Sequence, residues 1–333
     1  MEPGKLLSKI SDIIRSNKKF LLLTHSFPDG DGLGSLVALY KLIVELEKNA
    51  IMVCNSEIPY QYLFLPELGN LRRDLDEIDI TQKEYVTFCL DSADERRLRV
   101  NFELIKQISK LVVNIDHHIS NTNFGDINLV VSEKSATAEI LYDLIKEYFE
   151  AYLGYEIALG LYTGILTDTG KFQYFNTSSR VHQIVSHLLE YNVVPSRVFA
   201  SIYENEPYNR FKLIQLVLKR ASLIKPLGLI YSYILKSDFE RLDLPFSSHD
   251  GIIELLRTAR DVAVAALFKE VDKNLYRISL RSSNSSINVA DIASVFGGGG
   301  HLMAAAYVQN GKLKDVISSL VEVTRNKIGG RIE

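Results

Sequence analysis

Leu111-Val-Val-Asn-Ile115-Asp116-His117-His118 runs a short apolar segment straight into three ionisable side chains. Five mostly apolar residues suit a strand buried on both faces. Three adjacent ionisable groups at its end rarely serve packing, and a solvated turn is the only serious bland explanation. Three further sites of the same kind accompany it: His25-x3-Asp29-x-Asp31, Asp91 and Asp168. Each lies at or just past the end of an apolar run, or in a turn containing Gly or Ser. A sheet that ends several strands on one edge brings such side chains together.

The segments around that stretch define the sheet. Phe20-Leu-Leu-Leu-Thr24, Ala50-Ile-Met-Val-Cys54 and Tyr85-Val-Thr-Phe-Cys-Leu90 read as further strands. Helical spacing appears at Leu33–Leu46, Ala136–Phe149, Glu156–Leu166 and near Ser178–Leu189. Short apolar strands alternating with helices predict an α/β fold with a mostly parallel sheet sandwiched by helices. Ligands of such sheets bind beyond the carboxyl ends of the strands, where His25, Asp91 and Asp116 fall. The pattern loosens around Tyr191-Asn-Val-Val-Pro195 and Glu204-Asn-Glu-Pro207. The expected organisation is therefore an α/β domain at 1–189 that carries these ionisable residues, a connector at 190–215 and a smaller α+β domain at 216–333 across a cleft. In the last, Leu229–Leu235, Val262–Phe268 and Tyr276–Leu280 read as strands, and Val289–Phe296 and Leu313–Val323 as helices. There is no internal repeat.

Size and charge set bounds. A chain of 333 residues is long enough for two domains with substantial cores. No run approaches 18 apolar residues, so a membrane span is not expected, and Met1-Glu-Pro-Gly-Lys5 carries no apolar signal core. Cys54 and Cys89 form no Cys-x-x-Cys pair and read as reduced core residues of a cytoplasmic protein. Residues 1–206 hold 20 Lys and Arg against 29 Asp and Glu, net −9, whereas residues 207–333 hold 18 against 12, net +6. An acidic half suits cations and a basic half an anionic substrate, although solvated surface charge explains the asymmetry equally well by itself.

The first site sits in Thr24-His-Ser-Phe-Pro-Asp-Gly-Asp-Gly-Leu-Gly34, a turn between strand and helix. Asp29 and Asp31 flank one glycine and can face different ions. Taken alone, the better account is a helix-capping turn in which Asp31 caps and His25 packs; the companion sites reverse that preference. Asp91 follows a strand immediately, and a carboxylate can bridge two ions with its two oxygens; its bland role is a helix cap. Asp168, in Gly164-Ile-Leu-Thr-Asp-Thr-Gly170, could equally end a helix. At 116–118 one His can ligate, Asp116 can orient an imidazole, and the other His can meet a phosphate. Carboxylates and imidazoles without matching Lys or Arg repel one another unless metal ions sit among them. Two-metal centres commonly cleave phosphate esters. His182 and His187 fall in an amphipathic helix and read as surface or core residues.

In the second half, Phe296-Gly-Gly-Gly-Gly-His301 precedes Ala304-Ala-Ala306. Gly297, Gly298, Gly299 and Gly300 would expose backbone N–H groups, a following helix would add its positive end, and His301 would meet a phosphate or base. A flexible hinge is the plain alternative. Arg281 and Ser282, at a strand end, suit phosphate oxygens or a carboxylate, although Arg281 also fits as ordinary edge charge.

On these residues the sequence resembles the DHH phosphoesterase superfamily, in its subgroup with a DHH-associated C-terminal domain. Four motifs appear in order: His25…Asp29-Gly-Asp31, Asp91, Asp116-His-His118 and Asp168-Thr-Gly170. The Gly297–His301 loop with Arg281-Ser282 looks like the substrate motif of the C-terminal domain. One departure is Ala304-Ala-Ala306, where the family has Ala-Ala-Gly. The two-domain plan looks most like the oligoribonuclease and 3′-phosphoadenosine-5′-phosphate phosphatase group. The resemblance implies two divalent cations, expected as Mn²⁺, one held by His25, Asp29 and Asp91 and the other by Asp31, Asp91, His117 and Asp168. It further implies His118 as the residue stabilising charge on phosphoryl oxygens, Asp116 as its partner, a short RNA or nucleotide as substrate, and a homodimer. Hydrolysis of cyclic or linear dinucleotides is the competing enzymatic reading, and a catalytically decayed nucleotide-binding module the competing non-enzymatic one.

Overall fold

Alternate residues of the apolar runs serve two different cores, so neither face of the first sheet is left to water. In the computed structural model, Phe20 and Leu22 join one buried cluster while Leu21 and Leu23 join another. The structure describes residues 3–76, 78, 83–249, 251–284 and 286–328; the outer ends of the two expected domains, at 1–2 and 329–333, lie outside them. Two compact units divide after Asn205.

In the first unit, β1 (Lys19–Thr24), β2 (Asn49–Val53), β3 (Tyr85–Leu90), β4 (Ser109–Asp116) and β5 (Ile127–Val130) form a sheet of order β2-β1-β3-β4-β5. Every pairing in it is parallel. Helices α1 (Pro3–Ser16), α2 (Gly30–Glu45), α4 (Thr137–Tyr148), α5 (Tyr155–Asp168), α6 (Ser179–Leu189) and α7 (Pro195–Tyr203) contribute to the larger core. On the other face, α3 (Phe102–Ile108) buries Ile105 and Ile108. The chain leaves β1 toward β2 on one side and returns to β3 on the other. A crevice at the carboxyl ends of β1 and β3 is therefore the topological switch point where doubly wound sheets bind ligands.

α2 and α5 cross with their backbones in near contact. A methyl placed on Gly34 would lie 2.2 Å from the Gly160 carbonyl oxygen, and one on Gly160 would lie 2.5 Å from the Gly34 carbonyl oxygen. The helices run antiparallel, so the first turn of α2 meets the last turn of α5, which sets Asp31 beside Asp168.

The second unit comprises α8 (Tyr208–Arg220), β6 (Ser222–Ile224), β7 (Leu229–Ile234), α9 (Lys236–Leu242), α10 (Ile252–Arg257), β8 (Val264–Asp272), β9 (Leu275–Ser282), α11 (Val289–Ser294), β10 (Gly299–His301), β11 (Ala304–Asn310) and α12 (Leu313–Ile328). Its sheet has the order β10-β11-β9-β8-β7-β6; β7 and β8 pair in parallel and the other neighbours antiparallel. Val264, Ala266 and Phe268 pack with residues of α11 and α12, whereas Ala265 and Leu267 pack with those of α8, α9 and α10. Cys54 and Cys89 are buried free thiols. Among the described residues no helix is long and apolar enough to cross a membrane.

Replacing Gly34 with Ala forces the α2–α5 crossing apart against rigid backbone. The expected loss is about 1–3 kcal/mol, read as a lower urea midpoint. Gly4→Ala in α1, where a methyl meets nothing within 4 Å, serves as control and does not lower it.

Candidate metal centre

The turn after β1 carries three of the expected donors. Asp29 is the N-cap of α2: its Oδ1 accepts from the N–H groups of Asp31 and Gly32, both at 3.1 Å. Capping thus belongs to Asp29, whereas Asp31 lies inside the first helical turn, fully buried. A carboxylate there survives because another helix end receives it. The N–H groups of Thr137 and Ala138, at the start of α4, donate to Asp31 at 2.6 and 2.9 Å, and the Ser35 hydroxyl donates at 3.2 Å. Unpaired N–H groups and the positive pole of α4 are a natural seat for a negative charge.

Asp91 follows β3 with its backbone at φ +54°, a left-handed torsion that few residues other than glycine adopt. Its N–H still donates to the Ile115 carbonyl at 3.0 Å, continuing the ladder toward β4. Thr137 reaches this carboxylate as well, its hydroxyl donating at 3.1 Å. One residue at the head of α4 therefore positions both Asp31 and Asp91. Sequence reasoning missed it. The available signal was Ser135 two residues earlier and Glu139 two residues later, which bracket the helix start: the N–H and hydroxyl of Ser135 both donate to the Glu139 carboxylate.

The imidazoles are aimed by backbone carbonyls. His25 Nδ1 lies 3.0 Å from the Ser26 carbonyl, and Nε2 lies 3.5 Å from Asp91 and 3.8 Å from Asp29. His117 repeats the scheme, with Nδ1 at 3.3 Å from the Lys134 carbonyl and Nε2 at 3.1 Å from Asp168, 3.6 Å from Asp91 and 3.9 Å from Asp31. A Nδ1–H held by a carbonyl leaves Nε2 as the ligand atom in the neutral ring. His118 differs: its Nδ1 lies 2.7 Å from Asp116, which itself accepts from Asn121 at 2.6 Å, so its Nε2 edge is left for something outside. Asp116 is fully buried and supports that ring.

Three groups of donor atoms, each within 4.8 Å, result: His25, Asp29 and Asp91; Asp31, His117 and Asp168; and Asp91, His117 and His118. All eight residues expected at this sheet edge, His25, Asp29, Asp31, Asp91, Asp116, His117, His118 and Asp168, meet there. Burial and the charges of Asp91 and Asp168 hold the Asp31 carboxyl well above the usual carboxylate range. Burial by itself pulls His25 down, but the carboxylates of Asp29 and Asp91 outweigh it and push it up to about 10. The Asp116 carboxylate raises His118 against the opposing effect of burial. Among the described residues no Lys or Arg forms an ion pair with Asp29, Asp31, Asp91 or Asp168. Buried like charges lacking a countercharge are costly, and a divalent cation with oxygen and imidazole donors fits that need.

The C-terminal residues are arranged otherwise than expected. No helix follows the glycines; β10 and β11 form a hairpin instead, with Ala304–Ala306 inside β11. Gly297 and Gly298 end α11, their N–H groups donating to the carbonyls of Ser294 at 3.1 Å and Ala293 at 3.0 Å. Gly297, at φ +73°, suits a helix stop, which is where glycine is favoured. Ser282 is buried, and its hydroxyl donates to the Asn284 carbonyl at 2.7 Å. Arg281 donates from Nε to Glu254 at 2.8 Å and is partly exposed. Arg281 opposes Ala304, and Ala304 opposes His301. Directly opposed residues share a face, so Arg281 and His301 flank one small methyl on the same side of the sheet. Ala306 lies in the next row of that face, opposite Gly299 and Ser279.

Comparison with known proteins agrees with this architecture. Residues 19–165 match the DHH family N-terminal domain and residues 228–331 the DHHA1 domain. A Thermus thermophilus protein named bifunctional oligoribonuclease and PAP phosphatase NrnA is 29% identical over 309 residues, covering 92% of this chain and 89% of its own. The Bacillus subtilis protein of the same name is 28% identical over 290 residues, covering 86% and 87%. An exopolyphosphatase-related protein from Bacteroides fragilis shares the fold, with a TM-score of 0.88 at 22% identity over 98% of this chain and 97% of its own. With both family domains in series over well over half of its length, the chain belongs to the DHH phosphoesterases that carry a C-terminal DHHA1 domain.

Proposed function

We propose that this phosphoesterase hydrolyses short oligoribonucleotides and 3′-phosphoadenosine-5′-phosphate with two divalent cations, Mn²⁺ in the first instance. The carrying observation is that Asp91 belongs to two of the three donor groups and faces both His25 and His117. The names of the relatives, spread over most of the chain, support the substrate class. His25, Asp29 and Asp91 would hold one cation, and Asp31, Asp91, His117 and Asp168 the other. Bound cations would supply Lewis-acid stabilisation of the phosphoryl oxygens and a nucleophile at neutral pH.

The chain's own groups do the rest. His118, tied at Nδ1 to Asp116 and raised in pKa by it, carries a proton that Nε2 donates to a phosphoryl oxygen as charge builds there. Thr137 and the head of α4 keep Asp31 and Asp91 from moving as that charge develops. In the second unit, Arg281 and His301 offer a cation and an imidazole on either side of Ala304 for an anionic substrate group, with the Gly299 row beside them.

Asp91→Asn keeps the shape and removes the shared charge. Turnover of a diribonucleotide with Mn²⁺, followed by chromatography of the mononucleotides, is expected to fall by roughly a thousandfold or more, about 4 kcal/mol of barrier. Activity within tenfold of the unaltered chain would reject the assignment. Cation binding must also displace the proton that His25 holds up to about pH 10. Affinity for Mn²⁺ therefore rises with pH between 6.5 and 8.5, about tenfold per unit for each proton released. Calorimetry in buffers of different ionisation enthalpy reads that release directly, and a pH-independent affinity would contradict it.

A further inference from the structure

We propose that Phe27 and Arg99 form a shelf on which a nucleobase of the substrate stacks, beside His25 in the N-terminal unit. The identity of the stacked group rests on the oligonucleotide reading above; the shelf itself rests on geometry. Phe27 is 69% exposed. A single exposed apolar residue ordinarily means nothing, but this one is held at φ +56°, a torsion strained for a bulky side chain. Strain of this kind persists only where the surroundings enforce it.

The Phe27 N–H donates to the Ser56 hydroxyl at 2.8 Å. The preceding residue, Ser26, donates from both its N–H and its hydroxyl to the Arg97 carbonyl, each at 2.8 Å. Cys54 donates from Sγ to the His25 carbonyl at 3.4 Å. The loop carrying Phe27 is thereby tied to the segment Glu95-Arg-Arg-Leu-Arg99, whose last residue caps a short 3₁₀ turn at φ +49°. Arg99 lies over the Phe27 ring, its guanidinium carbon 4.7 Å from the centroid.

Charge makes the place distinctive. Arg96 is paired with Asp94, whereas among the described residues neither Arg97 nor Arg99 forms an ion pair. Both cations lie on one five-residue segment in a half of the chain whose net charge is −9. An aromatic ring with a guanidinium over it is what single-stranded nucleic acid binds, the base on the ring and a phosphate on the cation. Two residues of backbone, no more than about 7 Å, separate Phe27 from His25 on one side and from Asp29 on the other. A phosphodiester lying against the carboxylate–imidazole cluster thus has its adjoining base within reach of the ring.

The test uses a diribonucleotide containing 2-aminopurine, whose fluorescence is quenched by stacking, titrated with the metal-stripped 333-residue chain. The unaltered chain is expected to quench it. Phe27→Gly is expected to bind roughly tenfold more weakly and to lose the quenching; the denaturation midpoint does not fall, because glycine is at ease at this torsion. An analogue with hydrogen in place of the stacked base shows no such difference between the two proteins. Absence of quenching by the unaltered chain, or undiminished affinity and quenching in Phe27→Gly, overturns the shelf. A chain that quenches as expected yet fails to hydrolyse the dinucleotide with Mn²⁺ overturns the proposed function and leaves the shelf standing.

Discussion

Two peptide N–H groups at the head of α4 make the whole edge of the first sheet possible, because they receive a carboxylate that has no water. Asp31 is fully buried, and without Thr137 and Ala138 only the Ser35 hydroxyl and the imidazoles would remain as its partners. An unsatisfied buried carboxylate costs several kcal/mol. Satisfying it from a helix terminus leaves the oxygens directed toward His117 and Asp168. The same Thr137 extends its hydroxyl to Asp91, so α4 fixes the relative positions of residues from two other elements. The α2–α5 crossing serves the same end from behind, since only glycine at 34 and 160 lets the ends of those helices meet.

The two units solve different problems. The first concentrates negative charge and imidazole at a strand edge, where among the described residues no cationic side chain other than histidine pairs with it. The second leaves a sheet surface of small residues at Ala304, Ala306 and Gly299, bordered by Arg281 and His301. Arg281 is engaged by Glu254, which sets the orientation of its guanidinium.

Much of the first unit was legible because parallel strands buried on both faces read as unbroken apolar runs, and because the donors fall at their ends. β5 escaped notice, being four residues long, too short for any periodicity to register. α1 carries a readable stripe in Leu7, Ile10 and Ile14 and was passed over. The helix expected after the glycine run is a hairpin instead, for a physical reason. Glycines free of side chains resemble a phosphate loop, but the amides of Gly297 and Gly298 are taken by the end of α11, a pairing visible only in three dimensions. Thr137 and Asn121 were missed because each acts through another side chain, which spacing along one strand or helix does not reveal.

Asp91 occupies a left-handed torsion at the very end of β3 while its own amide remains bonded to Ile115. Its Cβ is consequently fixed in direction as well as place, with no freedom left in the main chain to take up slack. A glutamate there would keep the charge, yet one extra methylene would have nowhere to go but past the two imidazoles. The position is limited by reach as well as by sign, and a longer acid is no substitute for the shorter one.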